Sequence, residues 1–273
     1  MCASINKLGI LAGKGALPRQ IAVHCDAKQL PYFILALEES LDPSVVEGRE
    51  HAVISIGAIG QGLEQLKQAG VKEVVLAGHV KRPSLRSVKI DDTAKKILKK
   101  LGMKILGGDD ALLRALIGFL EEEGFAVLAP HDILGGLTLP AGSITEKQPT
   151  KEQLASIDKA MHIVKQTGEL DIGQSLVIED EYVLGIEAAE GTDELIKRCA
   201  GYMKAKNHAI LVKAKKPGQE ERADMPTIGV DTIKQLADSH YAGLAIEADN
   251  VLVVDSEEVK ALANQHGLFI IAV

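Results

Sequence analysis

The sequence predicts an α/β protein: an N-terminal Rossmann-like domain on a parallel sheet, then a C-terminal α/β or α+β domain. Three observations carry this. Through the first half, short β-branched or aliphatic runs alternate with helical patterns, and such alternation builds parallel βαβ units. The early strands close on a small residue and a glycine or run into one, as in Ala12-Gly13, Ile56-Gly57 and Ala77-Gly78. A stretch containing glycine and proline at 130–149 then breaks the pattern before a second set of elements begins.

Taken in order, the first domain (1–132) has strands expected at 8–12, 32–37, 51–56, 73–77 and 125–129. Helices are expected between them at 17–28, 62–68, 92–101 and 111–123, where apolar residues recur at helical spacing. Residues 133–150 read as a connection, because their glycines and prolines leave few periodic apolar positions. In the C-terminal domain (151–273), Leu154, Ile157, Met161 and Val164 recur at steps of three and four, which gives a helix that buries one face. Strands follow at 175–178, 183–187, 209–214, 244–247, 251–254 and 268–273, with helices at 192–202, 231–239 and 256–266.

Composition narrows the function classes. The chain has 273 residues, 46% apolar and 25% charged, an ordinary globular balance with ample material for a core. Its formal net charge of −7 repels phosphate polyanions, so nucleic acid is not an expected partner. Cys2, Cys25 and Cys199 make neither a CxxC pair nor an even framework, which fits a reducing, cytoplasmic location. A leader or membrane span is not expected: no apolar run approaches the roughly 18 residues that cross a bilayer. A visit to a membrane surface stays open.

Several motifs bear on chemistry. LGILAGKGALP at 8–18 reads as strand, glycine turn and helix start, and its turn (Gly13, Lys14, Gly15) lets backbone N–H groups approach a phosphate. As a dinucleotide fingerprint it is incomplete, because Pro18 stands where the third glycine belongs. Walker, HExxH, GxSxG and zinc-spaced Cys/His patterns are absent from the sequence, which removes the simplest P-loop, metalloprotease, α/β-hydrolase and zinc readings. Gly78 leads into a loop with Lys81 and Arg82, which serve either as anion contacts or as a solvated basic pair. Gly107-Gly108-Asp109-Asp110 reads as a helix N-cap, or as a carboxylate pair for Mg²⁺.

The densest polar cluster is KAKKPGQ at 213–219, followed by Arg222 and then DMPTIG at 224–229, which opens the next helix through a Pro-Thr-Ile-Gly turn. Cations beside one carboxylate in a shaped loop suit phosphoryl chemistry, and a hydrophilic loop with a chance ion pair is the plainer account. Its companion, EAAEGTD at 187–193, reads as a capped helix start with Thr192 as N-cap, or as a site in which the exposed N–H groups bind phosphate and Glu187, Glu190 and Asp193 bind Mg²⁺.

Together with Asp171-Ile172-Gly173-Gln174 and the terminal Gly267-Leu268-Phe269, these segments resemble, end to end and in order, the LpxI-type UDP-2,3-diacylglucosamine pyrophosphatase family of lipid A and lipopolysaccharide biosynthesis. The resemblance implies Mg²⁺-dependent hydrolysis of a UDP-linked diacylated glucosamine to UMP and 2,3-diacylglucosamine 1-phosphate, with the ligand held between two domains. It implies Asp224 as the key acid, positioning Mg²⁺ or the attacking water. Within that frame Lys213, Lys216 and Arg222 neutralise the diphosphate. Gly13, Lys14, Gly15, Gly78, Lys81, Arg82, Gln174, Thr192, Gln219 and Thr227 contact the substrate. A cytoplasmic enzyme working peripherally at the inner face of the inner membrane follows, with a homo-oligomer compatible. The alternative reading is a non-catalytic nucleotide-sugar binding or regulatory protein, which would use the same glycine turns without needing Asp224.

Overall fold

A computed structural model describes residues 6–80, 89–101, 109–222 and 224–273. The chain forms two compact units, one of residues 1–135 with 220–224, the other of residues 136–219 with 225–273.

The first unit is built on β1 (Leu8–Ala12), α1 (Leu17–Lys28), β2 (Tyr32–Leu37), a 3-10 turn at Glu38–Ser40, α2 (Pro43–Val46), β3 (His51–Ile54), α3 (Ile59–Gln68), β4 (Glu73–Ala77), α4 (Asp92–Leu101), α5 (Asp109–Glu122), β5 (Ala126–Leu128) and α6 (Pro130–Ile133). Its five strands run in the order β3-β2-β1-β4-β5 with every neighbour parallel. That order reverses beside β1, and in doubly wound sheets the crevice at such a point, at the carboxyl ends of the strands, receives ligands.

Both sheet faces are apolar, as a parallel sheet covered on two sides requires. Phe33, Leu35, Val74, Leu76 and Val127 form one buried layer with Leu66 of α3 and Ile117 and Leu120 of α5. Side chains alternate across a strand, so Ile10, Ile34 and Val75 face the other way; α1, with Ile21, Ala22 and Cys25 buried, packs on β1. Asp91 N-caps α4, accepting from Ala94 N at 2.7 Å, and its other oxygen accepts from Gly60 N in α3 at 2.6 Å.

The second unit contains β6 (Gly142–Ser143), α7 (Lys151–Glu169), β7 (Ser175–Glu179), β8 (Tyr182–Ile186), α8 (Thr192–Ala200), β9 (Ile210–Lys213), β10 (Thr227–Ile228), α9 (Val230–Asp238), β11 (Gly243–Ile246), β12 (Leu252–Val253), α10 (Ser256–Gln265) and β13 (Phe269–Ala272). Six strands run β6-β13-β11-β9-β7-β8, with the central β13, β11 and β9 parallel and the flanking pairings antiparallel. On one face Ile157, Ala160 and Val164 of α7 pack against Leu176, Val212, Ala245 and Phe269. On the other, α8, α9 and α10 bring Leu195, Ile233 and Val259 onto Val177, Leu211, Leu244 and Ile270. Among the described residues, no helix is long and apolar enough to cross a membrane.

The stretch 133–150, expected as a connection, does structural work in the second unit. Gly142–Ser143 pair with β13, and the Leu137 and Leu139 carbonyls accept from Val253 N at 2.7 Å and Asp249 N at 2.9 Å. Only long-range pairing makes strands of such short, weakly patterned pieces. The same holds for the Pro-Thr-Ile-Gly segment, expected as a turn: Thr227 and Ile228 form β10, which pairs with β12 outside the main sheet. Helix α3 begins at Ile59, three positions before the expected 62, because the apolar period hides a first turn of Ile59-Gly60-Gln61.

Candidate functional site

Both units carry candidate residues at the carboxyl ends of their parallel strands. In the first unit the loops after β1 and β4 cross as a two-residue antiparallel bridge: Lys14 N–H donates to His79 O and His79 N–H to Lys14 O, each at 2.8 Å, while Gly13 N–H donates to Ala77 O at 2.8 Å. The bridge explains the glycines. A Cβ on Gly13 would lie 2.8 Å from His79 O, and one on Gly78, whose φ is +87°, would lie 2.5 Å from Lys14 O. The Gly13 and Lys14 amides, expected to cradle phosphate, are therefore spent on protein carbonyls. Gly15 and the Lys14 side chain remain exposed at the start of α1. Lys81, Arg82 and the Gly107-Gly108 turn lie outside the described residues, and so do the side chains of Asp109 and Asp110.

In the second unit three strand ends converge. Lys213 closes β9, Ser175 opens the antiparallel β7 directly opposite it, and Glu187 follows β8 with its N–H on Ser175 O at 2.9 Å. This edge holds four of the eight buried polar residues among those described: Ser175 (0% exposed), Lys213 (5%), Gln219 (7%) and Glu187 (8%). Charged groups are seldom buried in such density without a task. Lys213 Nζ donates to Thr192 Oγ1 at 2.8 Å, Thr192 Oγ1 donates to Glu187 Oε1 at 3.1 Å, and Ser175 Oγ lies 3.2 Å from Thr192 Oγ1. Glu187 Oε2 is buried with no hydrogen-bond partner.

Beside this chain of contacts, Gln219 Nε2 donates to Gln174 Oε1 at 3.3 Å and Gln219 Oε1 accepts from Lys216 N at 3.1 Å. The Lys216 ammonium reaches Asp171 Oδ1 at 2.7 Å. Behind the loop, Glu247 pairs with Lys165 and accepts from Lys215 N at 2.9 Å, which fixes the start of the 214–219 segment. Gly173 makes the convergence sterically possible, since a Cβ there would fall 2.1 Å from Glu187 O. Gly173→Ala is expected to cost about 1–3 kcal/mol through the forced backbone shift, read as a lower urea midpoint at unchanged slope.

Of the residues expected from sequence, Gln174, Thr192, Lys213, Lys216 and Gln219 are thus brought together. Thr192 is not the N-cap of α8, as expected, but its first helical residue. Gly191, at φ +82°, holds the cap position, and the Thr192 hydroxyl is turned away to Lys213 and Glu187. Glu190 binds Arg198 at 2.7 and 3.0 Å; its carboxyl is held below its usual range first by backbone N–H groups and then by that guanidinium. Asp193 is exposed in the first turn of α8, and Thr227 is exposed with its hydroxyl on Met225 O at 3.0 Å.

Asp224 and Arg222 lie on 220–224, the segment that clusters with the first unit. Arg222 donates to Glu220 at 2.8 and 3.2 Å and to Glu121 of α5 at 2.6 Å. Those two carboxylates push its pKa up, and Glu220 is pushed down by the same contact. Its guanidinium, expected to neutralise phosphate, instead fastens the segment that bears Asp224. Cys25 and Cys199 are free and buried, and burial pushes the Cys25 thiol up to about 11, so neither has the character of a nucleophile.

Sequence alone does not single out Ser175; it offers Glu187 as one of three acids for Mg²⁺, and Asp171 only as the first residue of the Asp171–Gln174 motif. The signal for Glu187 is an acid set among small apolar residues, Ile186-Glu187-Ala188-Ala189.

Fold and site first define a class: a two-unit α/β protein whose second unit gathers lysines, carboxamides and a buried carboxylate at the carboxyl edge of its sheet, a set suited to an anionic ligand. Comparison with known proteins then gives the family. The LpxI N-terminal domain model matches residues 7–137, and the LpxI C-terminal domain model matches residues 140–271. UDP-2,3-diacylglucosamine pyrophosphatase LpxI of Caulobacter vibrioides is 39% identical over 275 residues, covering 98% of both chains. The chain belongs to the LpxI family. Among solved structures, N5-carboxyaminoimidazole synthase of Aspergillus clavatus aligns at TM-score 0.25 and 13% identity, over 74% of this chain and 45% of that one. The biotin carboxylase domain of Hydrogenobacter thermophilus 2-oxoglutarate carboxylase aligns at TM-score 0.24 and 10% identity, over 73% and 41%. The chain spans less than half the length of either, and likeness at that level carries no argument.

Proposed function

We propose that this protein hydrolyses the diphosphate of UDP-2,3-diacylglucosamine to UMP and 2,3-diacylglucosamine 1-phosphate, as a Mg²⁺-dependent cytoplasmic enzyme that meets its lipid substrate at the inner face of the inner membrane. The observation that carries the reading is the 39% identity, over 98% of the chain, to UDP-2,3-diacylglucosamine pyrophosphatase of Caulobacter vibrioides. The buried Lys213 cluster supports it, being the environment that a diphosphate under attack requires.

In the reaction a water oxygen forms a bond to phosphorus, the bridging P–O bond breaks, and the departing phosphate oxygen keeps its electron pair. Asp224 orients the water and accepts its proton. Lys213, with Lys216 beside it, offsets the charge that grows on the leaving phosphate. Gln219 and Gln174, already linked to each other, present amide groups to the phosphate oxygens.

The proposed Mg²⁺ asks little of the protein's own donors. Among the described residues, no three His, Cys, Asp or Glu side chains gather into a cage, and Glu190 is committed to Arg198. A hard cation that keeps several waters and is bound chiefly by substrate phosphates needs only one or two protein carboxylates, and Asp224 would supply one. When bound, the ion withdraws charge from the diphosphate oxygens.

The test incubates purified protein with UDP-2,3-diacylglucosamine in detergent and follows UMP and the acylated sugar phosphate. Release of both in Mg²⁺ is expected, with excess EDTA lowering the rate at least 100-fold. Full activity in EDTA removes the metal from the mechanism, and saturable binding without turnover replaces the enzyme with a binding protein.

A further inference from the structure

We propose that Glu187 is a positioning residue that acts on Lys213 through Thr192; the proposal rests on the hydrolase reading above. It starts from proton counting. A threonine hydroxyl has one proton to donate and two lone pairs to accept with. Glu187, as a carboxylate, can only accept, so the 3.1 Å contact between Thr192 Oγ1 and Glu187 Oε1 takes the single Thr192 proton. Thr192 then meets its other neighbours as an acceptor, from the Lys213 ammonium at 2.8 Å and from the Ser175 hydroxyl at 3.2 Å.

All three positions on the Thr192 oxygen are filled, and each partner has a fixed direction. The hydroxyl is thereby excluded from donating to a phosphate, the role expected of it from sequence, and becomes an oriented seat for Lys213. Released from Glu187, the same hydroxyl could turn its proton toward the ammonium and lose it as a donor.

The second observation is that this arrangement is costly. Glu187 Oε2 is buried without a partner, and an unpaired buried charged acceptor weighs against folding. Stability alone would favour an apolar or amide side chain here. A carboxylate at this point gives Thr192 its direction and adds a negative charge near a lysine that is itself only 5% exposed. Glu187 is further held at its backbone, by Glu187 N on Ser175 O at 2.9 Å and by the close passage of Gly173, so its carboxylate is delivered by rigid strand ends.

The test is a double-mutant cycle on the full chain with Glu187→Ala, Thr192→Val and the pair, read by kcat and KM for UDP-2,3-diacylglucosamine and, independently of turnover, by the calorimetric Kd for UDP. Each single variant is expected to lower kcat on the order of 10- to 100-fold with KM raised no more than about 5-fold, and the pair is expected to lose no more than either single variant. Glu187→Gln, which still offers Oε1 to Thr192, and Thr192→Ser, which keeps the hydroxyl, are expected to recover most of kcat.

Additive losses, or a Thr192→Val enzyme with wild-type kcat, overturn the proposal. The Thr192 arm decides it should Glu187→Ala not fold. If the wild-type chain binds UDP without turnover, the hydrolase reading fails while the cycle in Kd still decides the coupling; wild-type protein that does neither overturns both.

Discussion

Asp224→Ala is expected to lower kcat by about three orders of magnitude or more, on the order of 4 kcal/mol of lost transition-state stabilisation, with melting temperature and circular dichroism unchanged. The expectation has two parts. Chemically, a water attacking phosphorus needs a group that orients it and takes its proton, and Asp224 is the acid assigned to that work. Structurally, the segment is fastened by other atoms: Arg222 grips Glu220 and Glu121, and Asp224 N–H donates to Glu220 O at 3.0 Å. Those anchors survive truncation of the Asp224 side chain, and an unchanged circular dichroism spectrum would assign lost activity to lost chemistry. A variant that turns over at the wild-type rate would remove Asp224 from the mechanism.

Lys213→Met is expected to lower kcat/KM about 100- to 1,000-fold, the scale of removing one preorganised charge donor from a water-poor site. Methionine keeps the length of the buried stem, while the ammonium that Thr192 holds at 2.8 Å is lost. Lys216→Met is expected to cost less than a tenth as much in fold terms, because that ammonium is exchangeable between Asp171 and solvent at the rim. Urea midpoints measured alongside separate the two effects: the Lys213 variant loses stability as well, since Glu187 is left buried without its nearby cation. Equal losses from both variants would assign the diphosphate to the outer lysine.

Much of the fold was legible locally. Strands β1, β2 and β4 and helices α1 and α4 fall at their expected bounds, because an unbroken apolar run and a 3.6-residue apolar period are properties of neighbouring residues. What escaped were the pieces whose state depends on a distant partner: β6 with β13, β10 with β12, and the assignment of 220–224 to the first unit. Proline and glycine in the two short strands' segments argued for turns or a connection, and pairing overrode them.

The candidate site divides the same way. By itself the sequence determined which chemistry was present: lysines, carboxamides and acids in an ordered set that resembles one family, now confirmed by the match along nearly the whole chain. Only the tertiary structure decided how those groups are used. Arg222 is an anchor because α5 brings Glu121 to it, the Gly13 turn is closed by His79, and Thr192 faces Lys213 because β7, β8 and β9 end at one edge. The physical reason is one of range. Identity and periodicity are written in adjacent residues, whereas the partner of a charge or a hydroxyl is set by strand register across dozens of positions, and a buried polar group takes whichever partner that register delivers.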